Sequence, residues 1–152
     1  RKRKYDINYM GMNARLDTIQ AAILLSKLEI FDWELKERDR IARIYSNELN
    51  KVFHTPKIFE NTVNAWAQYT LQTNKRESIL NFLKDNNIPT MIYYPKPMHE
   101  QPAYKKFDLN DNLSNSRYLS ENVFSIPVHS YLSDLEIEYI IENLKKAKKL
   151  FL

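Results

Sequence analysis

The alternation of apolar and polar residues along the chain predicts four helices and three short strands. From Asp17 to about Asn50 the pattern is helical throughout, and Asp17 followed by Gln20 is typical of a capping box at a helix start. Residues 19–25 are apolar on nearly every face, which indicates a surface that another domain or subunit covers. The later part carries one core-facing stripe: Leu28, Phe31, Leu35, Ala42, Tyr45 and Leu49.

The remaining predicted elements alternate between strands and helices. Trp66 and Tyr69, in the first strand, are expected in the core. Such an order predicts an α/β (α+β) sandwich, in which helices cover a modest sheet. The strands are predicted at 65–73, 90–94 and 123–126, and the helices at 76–86, 114–122 and 133–149.

The composition is that of an ordinary globular domain and excludes several other classes of protein. The 152 residues are 43% hydrophobic and 28% charged, which suits one globular domain. The absence of cysteine excludes a disulfide framework and fits a reducing, cytoplasmic location. No apolar run approaches the roughly 18 residues of a membrane span. The chain starts abruptly at Arg1, so we expect a piece of a longer protein.

The net charge of +4 comes from the two ends of the chain. Residues 1–4 and 145–149 hold eight of the 23 basic residues, so the remainder has fewer basic residues than its 19 acidic ones. Solvated ends explain this distribution better than a nucleic-acid surface, which forms a stripe across a fold. A basic-ended interaction module remains an alternative.

Several catalytic motifs are excluded. A single glycine is incompatible with a dinucleotide-binding or P-loop motif, because each needs several glycines. His54, His99 and His129 fall on separate loops without metal-ligand spacing, so no metal site is expected. There is neither a cysteine nucleophile nor a Gly-x-Ser-x-Gly elbow. We therefore expect no catalytic residue in this chain alone.

The only glycine introduces the first candidate site, GMNARLD, just before the long helix. Gly11 permits turns that other residues resist, Asn13 offers an amide donor, and Arg15 offers a planar fork for phosphate or carboxylate. A helix N-terminus attracts anions. The motif therefore predicts either a structural turn or an anion contact.

The second candidate is YYPKPMH, residues 93–99, followed by Gln101. Adjacent strand residues face opposite sides, so one of Tyr93 and Tyr94 is expected in the core and the other in a cleft. The two prolines would fix an extended exit that presents Lys96 or His99. The alternative is a plain strand end with two packed tyrosines.

Taken together, these segments resemble a known family. GMNARLDTIQAAILLSKLEIF, KERDRIARIYSNEL, AWAQYTLQT, NNIPTMIYYPKPMHEQPAY and VFSIPVHSYLS occur in the order and spacing of the DegT/DnrJ/EryC1/StrS aminotransferases, which use pyridoxal phosphate (PLP) to aminate sugars. The resemblance covers nearly the whole chain. It is greatest to the branch that aminates UDP-2-acetamido-3-keto-glucuronic acid for bacterial surface polysaccharides.

The resemblance implies the small C-terminal domain of a fold-type I aminotransferase. Residues 1–50 would be the motif loop and long linking helix, and 51–152 the small α/β domain, with the large PLP-binding domain missing. Such enzymes are homodimers whose active sites are shared between subunits. The resemblance implies contacts at four positions: Asn13 with the cofactor phosphate of the neighbouring subunit, Arg15 with the nucleotide-sugar, and Tyr93 and Tyr94 with the substrate sugar or its carboxylate. His99, which the prolines would present, is also expected to bind the substrate. The nearest branch has His-Tyr at the tyrosine pair.

In this family the lysine that binds the cofactor lies upstream of the glycine motif. Lys2 and Lys4 are too close to Gly11 to serve, so the fragment alone is expected to be inactive. The complete cytoplasmic enzyme would move an amino group from glutamate to a UDP-linked ketosugar, with neither nucleic acid nor membrane as partner. A related sugar dehydratase that uses the amino form of the cofactor remains an alternative.

Overall fold

The computed structural model describes residues 6–12, 15–107 and 113–152. Five α-helices and two short strands make up the regular structure of the described part, which confirms the α/β class. Two short 3₁₀ turns, Met98–Glu100 and Lys105–Phe107, lie between α3 and α4. The elements are α1 (Thr18–Leu28), α2 (Phe31–Leu49), β1 (Tyr69–Gln72), α3 (Arg76–Asp85), α4 (Ser114–Asn122), β2 (Val123–Ile126) and α5 (Asp134–Phe151).

The long predicted helix is two helices. The predicted start is confirmed, because the Asp17 N–H donates to Gln20 Oε1 at 3.3 Å. The chain then leaves helical geometry at Ile30, where φ is −110° and ψ is 1°. Of the predicted stripe, Ala42, Tyr45 and Leu49 are buried, whereas Leu28 and Phe31 are exposed. The stripe prediction is therefore wrong at its N-terminal end, because the chain turns before α2 enters the core.

The break coincides with a polar cluster that joins three segments of the chain. Glu34 on α2 is buried and accepts a hydrogen bond from the Tyr131 hydroxyl at 3.1 Å. Lys27 on α1 lies 3.7 Å from the same carboxylate, and the Trp33 ring packs against Tyr131 at 5.5 Å between centroids. With neither proline nor glycine at the junction, these tertiary contacts explain the bend.

The two strands pair antiparallel, with Tyr69 opposite Ile126 and Gln72 opposite Val123. The first strand is shorter than predicted because Trp66 has a φ of 44°, outside the extended region. The second predicted strand, 90–94, is wrong: within it only Met91 makes a bridge, to Ser125. Pro89 and Pro95 flank this segment, and proline offers no N–H for a strand ladder.

Helix α3 ends in a Schellman motif built on asparagine instead of glycine. Asn87 adopts a left-handed φ of 57°, which asparagine tolerates better than most residues. The Asn87 N–H donates to the Lys84 carbonyl at 3.0 Å, and the Ile88 N–H donates to the Leu83 carbonyl at 2.9 Å. Buried Leu83 and Ile88 supply the apolar contact that accompanies this motif.

One core joins α2, α3, α5 and both strands, and α5 packs against α2 and α3. Its largest fully buried side chains include Trp66 and Tyr69, so the prediction of both as core residues is confirmed. Because α2 contributes to this core, its second half is part of the α/β body, whereas none of the residues of α1 is buried. The division at residue 50 stays a prediction. The fully buried members are Tyr45, Tyr69, Phe124, Ile41, Leu49, Leu71, Ile79, Leu83, Leu144 and Trp66.

Candidate functional site

A cleft of about 1010 Å³ opens between the loop after Met91, the helix α4 and the segment at residues 6–7. It brings together Tyr93, Tyr94 and His99, three of the five residues predicted to contact small molecules. Its lining comprises Asp6, Ile7, Tyr93, Tyr94, Lys96, Pro97, Met98, His99, Gln101, Leu113, Ser116, Leu119, Ser120 and Val123.

The tyrosine pair does not divide between core and cleft as predicted. Both Tyr93 and Tyr94 line the cleft, and their rings meet edge-on, with centroids 5.6 Å apart at 72°. Alternation of side chains holds for a paired strand, and residues 92–94 are not one. Tyr94 keeps 59% of its surface exposed.

Gln101 closes one end of the cleft. Its buried side chain accepts a hydrogen bond from the Ile7 N–H at 3.2 Å. The Ile7 carbonyl in turn accepts from the Ala103 N–H at 3.0 Å. These two bonds hold residues 6–7 against a loop almost a hundred positions away, so the sequence spacing gives no signal of the closure.

His99 lines the cleft on the 3₁₀ turn that follows Pro97. Only 14% of its side chain is exposed, and its Nε2 atom is shielded from solvent without a hydrogen-bond partner among the described residues. The nearest carboxylate oxygen is Glu100 Oε1, at 3.6 Å. The imidazole therefore faces a carboxylate inside the cleft wall.

Glu100 is held by α4. Arg117 Nε donates to its Oε1 atom at 2.6 Å, a short charge-assisted hydrogen bond. Arg117 lowers the pKa of Glu100 most, and His99 and Lys96 lower that pKa further, so the carboxylate stays ionised well below neutral pH. Neither Arg117 nor the serines of α4 was a predicted site residue, because only the tertiary fold places α4 beside this turn.

Among the described residues of the glycine motif, neither Gly11 nor Arg15 lines the cleft. Asn13 falls outside the described residues, and Arg15 is exposed and does not line the cleft in the part of the chain that the structure describes. Gly11 does not adopt a positive φ, and a Cβ atom there would meet nothing within 4 Å. Within the described residues, neither the φ of Gly11 nor the space around it requires a glycine. Whether the motif is a structural turn or an anion contact stays a prediction.

Within 6–12, 15–107 and 113–152, no three His, Cys, Asp or Glu side chains lie close enough together to hold a metal ion. No helix in that part of the chain has the length and apolar character needed to cross a membrane.

Comparison with known proteins identifies the family. Residues 1–145 match the model of the DegT/DnrJ/EryC1/StrS aminotransferase family, and the chain belongs to that family. A solved DegT/DnrJ/EryC1/StrS aminotransferase from Brucella abortus has the same fold, with a TM-score of 0.83 and 40% identity; the match covers 95% of this chain and 39% of that one.

Two relatives carry specific names. The chain is 40% identical, over 143 residues, to a UDP-2-acetamido-2-deoxy-3-oxo-D-glucuronate aminotransferase from Pseudomonas aeruginosa, covering 93% of this chain and 39% of the relative. It is 31% identical to a dTDP-3-amino-3,6-dideoxy-alpha-D-galactopyranose transaminase from Aneurinibacillus thermoaerophilus, covering 95% and 40% respectively. The chain thus spans about two fifths of the length of these relatives.

Proposed function

We propose that this chain is the small C-terminal domain of a PLP-dependent aminotransferase, which transfers an amino group from glutamate to a UDP-linked ketosugar for bacterial surface polysaccharide. The observation that carries the proposal is the 40% identity, over 93% of the chain, to the Pseudomonas aeruginosa enzyme named for such a ketosugar. The family match over residues 1–145 supports the reaction class.

The chemistry of the cleft fits an anionic, hydroxyl-rich ligand. Lys96 supplies a cation, and the phenols of Tyr93 and Tyr94 can donate hydrogen bonds to sugar hydroxyls or a carboxylate. Aromatic rings also pack well against the apolar faces of a sugar ring. The tyrosines would orient the ketosugar and exclude water from it, while Lys96 would pair with a uronate carboxylate.

The glycine motif fits a role in contacting a neighbouring domain or subunit of the complete enzyme. Arg15 is exposed, and Gly11 has open space around it, so the loop is free to contact groups on a neighbouring domain or subunit. In the complete enzyme Asn13 would hold the phosphate of PLP, and Arg15 would bind the nucleotide-sugar. When bound, PLP supplies an amino-group carrier and an electron sink. We assign no catalytic residue to this chain and expect it to be inactive alone.

A cytoplasmic homodimer forms part of the proposal, and exposed apolar residues support the dimer. In the part of the chain described, Ile19, Leu25 and Leu28 each leave more than half of their surface in solvent. Met12 and Leu16 extend this apolar surface into the motif loop. Monomers rarely expose so much contiguous apolar surface, so a second subunit would cover it in the complete enzyme.

The full-length protein provides the test, with glutamate and UDP-2-acetamido-2-deoxy-3-oxo-glucuronate as substrates. We expect 2-oxoglutarate and an aminated nucleotide-sugar as products, and a higher KM for the sugar in Arg15→Gln and Tyr94→Phe. Lys149→Gln, on the exposed face of α5, is the control and should leave KM unchanged. Loss of a sugar hydroxyl without amination would instead establish the dehydratase alternative.

The same assay tests specificity for the nucleotide carrier independently of the reaction class. A dTDP-linked ketosugar offered in place of the UDP-linked one should be aminated more slowly, if the likeness to the Pseudomonas aeruginosa relative extends to substrate. Faster turnover of the dTDP-sugar would contradict the UDP assignment and leave the aminotransferase assignment intact.

A further inference from the structure

His99 places a buried polar atom, Nε2, in the wall of the cleft. Its Nε2 is buried and forms no hydrogen bond with the described residues. A buried polar atom without a partner is costly, so a native structure seldom leaves one unexplained. The Glu100 carboxylate, 3.6 Å from this nitrogen, is near enough to accept a hydrogen bond after a small side-chain adjustment.

The orientation of Glu100 is itself fixed. Arg117 binds its Oε1 atom at 2.6 Å from α4, and this is the same oxygen that faces His99. Because an ionised carboxylate only accepts hydrogen bonds, it favours a protonated Nε2 opposite it. The other neutral tautomer would direct a nitrogen lone pair at a negative oxygen, which is unfavourable in a shielded site.

We propose that Arg117, Glu100 and His99 form a hydrogen-bonded chain that holds His99 in the tautomer with the proton on Nε2, leaving Nδ1 as a hydrogen-bond acceptor. Arg117 and Glu100 are then positioning residues that act through His99. Their effect on the KM for the sugar rests on the proposed function, whereas the tautomer of His99 does not.

This arrangement changes the role expected for His99. Since Nε2 is turned toward Glu100 and shielded, it is not the atom that meets a ligand. In the neutral ring Nδ1 is then the only atom with an accepting lone pair, so His99 would accept a hydrogen bond from a substrate hydroxyl. Donation to the substrate falls to Lys96 and the two tyrosine phenols, which line the same cleft.

Nitrogen NMR of the full 152-residue chain with labelled histidine tests the tautomer directly, because protonated and unprotonated imidazole nitrogens have well-separated signals. The chain has three histidines, and His99→Gln assigns the relevant signals. At a pH where the rings are neutral, we expect the Nε2–H pattern for His99. A predominant Nδ1–H pattern would overturn the proposal.

Substitutions at Glu100 and Arg117 test whether their contacts cause the tautomer preference of His99. Glu100→Gln should yield a mixture of the two tautomers, because an amide can present either its oxygen or its NH₂ group. Arg117→Gln should have a partial effect, and Arg117→Lys should restore part of the preference by returning the charge. Glu121→Gln, an exposed carboxylate on the same helix, is the matched control and should change nothing. An unchanged Nε2–H signal in Glu100→Gln would refute the causal role of Glu100.

Kinetics of the full-length enzyme test the positioning role separately. Loss of the outer partner of a metal-bound histidine costs about tenfold or more in activity, and by analogy we expect Glu100→Gln to raise the KM for the sugar by up to about tenfold. A shifted tautomer with unchanged KM would refute the positioning role and leave the hydrogen-bonded chain standing. Absence of amination in the wild-type enzyme would refute the proposed function, while the NMR result would still decide the tautomer.

Discussion

Trp66 illustrates how a single residue can combine an unfavourable backbone with favourable side-chain contacts. Its φ of 44° is costly for a bulky side chain. Its indole N–H donates to Asp39 at 3.0 Å, its backbone N–H donates to Asn64 at 2.9 Å, and its carbonyl accepts from Arg38 at 3.2 Å. The ring is buried to 98% against Tyr69. Burial and these three bonds offset the strain and stop β1 from extending toward its N-terminus.

Tyr45 supplies a prediction at the same scale. Its hydroxyl donates to the Pro127 carbonyl at 3.0 Å within the core, where burial raises its pKa strongly. Tyr45→Phe would leave that carbonyl without its donor, so we expect a loss of about 1–2 kcal/mol in unfolding free energy. Urea denaturation of the full chain measures it. Tyr9→Phe, which removes a hydroxyl from an 88% exposed side chain, should stay within about 0.5 kcal/mol.

Among the elements, α1 and α5 have opposite relations to the rest of the chain. Helix α5 starts with a capping box, in which Ser133 Oγ accepts from the Glu136 N–H at 3.3 Å and the Ser133 N–H donates to Glu136 Oε2 at 2.8 Å. It then buries residues on one face against α2 and α3. Helix α1 has a similar start but buries none of its residues. A good cap begins a helix, whereas packing decides what it contributes to the fold.

A pair of leucine substitutions tests this difference. Leu83→Ala in the core should cost about 2–5 kcal/mol, because it removes buried atoms and leaves a cavity. Leu25→Ser on α1 should change the stability of the chain by less than about 0.5 kcal/mol, because Leu25 is 68% exposed. Urea denaturation compares the two. A large loss in Leu25→Ser that does not depend on protein concentration would show that α1 is packed within the chain itself, whereas a concentration-dependent loss would point to the proposed contact between subunits.

At the scale of the whole molecule, ionised carboxylates stabilise contacts both within and between segments of the chain. Burial alone would raise the pKa of Asp39, but hydrogen bonds from Arg43 and Trp66 outweigh it and lower the pKa. Arg117 lowers the pKa of Glu100, and the Ser133 N–H followed by its hydroxyl lowers the pKa of Glu136. Each carboxylate therefore favours the folded state while it is ionised.

The sign of the resulting pH dependence follows from these lowered pKa values. A glutamate whose pKa is lowered in the folded state stabilises the fold fully above its unfolded-state pKa of about 4.5. This stabilisation is lost as the pH falls through the folded-state pKa. We expect the urea midpoint to be level down to about pH 5 and then to fall. In Glu136→Gln the fall below about pH 4.5 should be shallower. The same steep fall in this variant would contradict a contribution from Glu136.

The sequence by itself determined the local elements of this protein and its family. Capping residues, apolar periodicity and proline positions act over a few residues, so they place the starts of α1 and α5, nearly all of α3 and α4, and β2. Segments such as GMNARLDTIQAA and YYPKPMHEQPAY resemble those of the aminotransferase family, and the match over residues 1–145 confirms the family.

Only the tertiary structure decided the features that depend on distant partners. The bend before α2 follows from Glu34 meeting Tyr131, and the closure of the cleft follows from Gln101 meeting Ile7. The orientation of Glu100 follows in the same way from Arg117 on α4. A periodic pattern shows which residues are apolar, but it does not show which distant loop will contact a given polar side chain. Those long-range contacts shape the cleft.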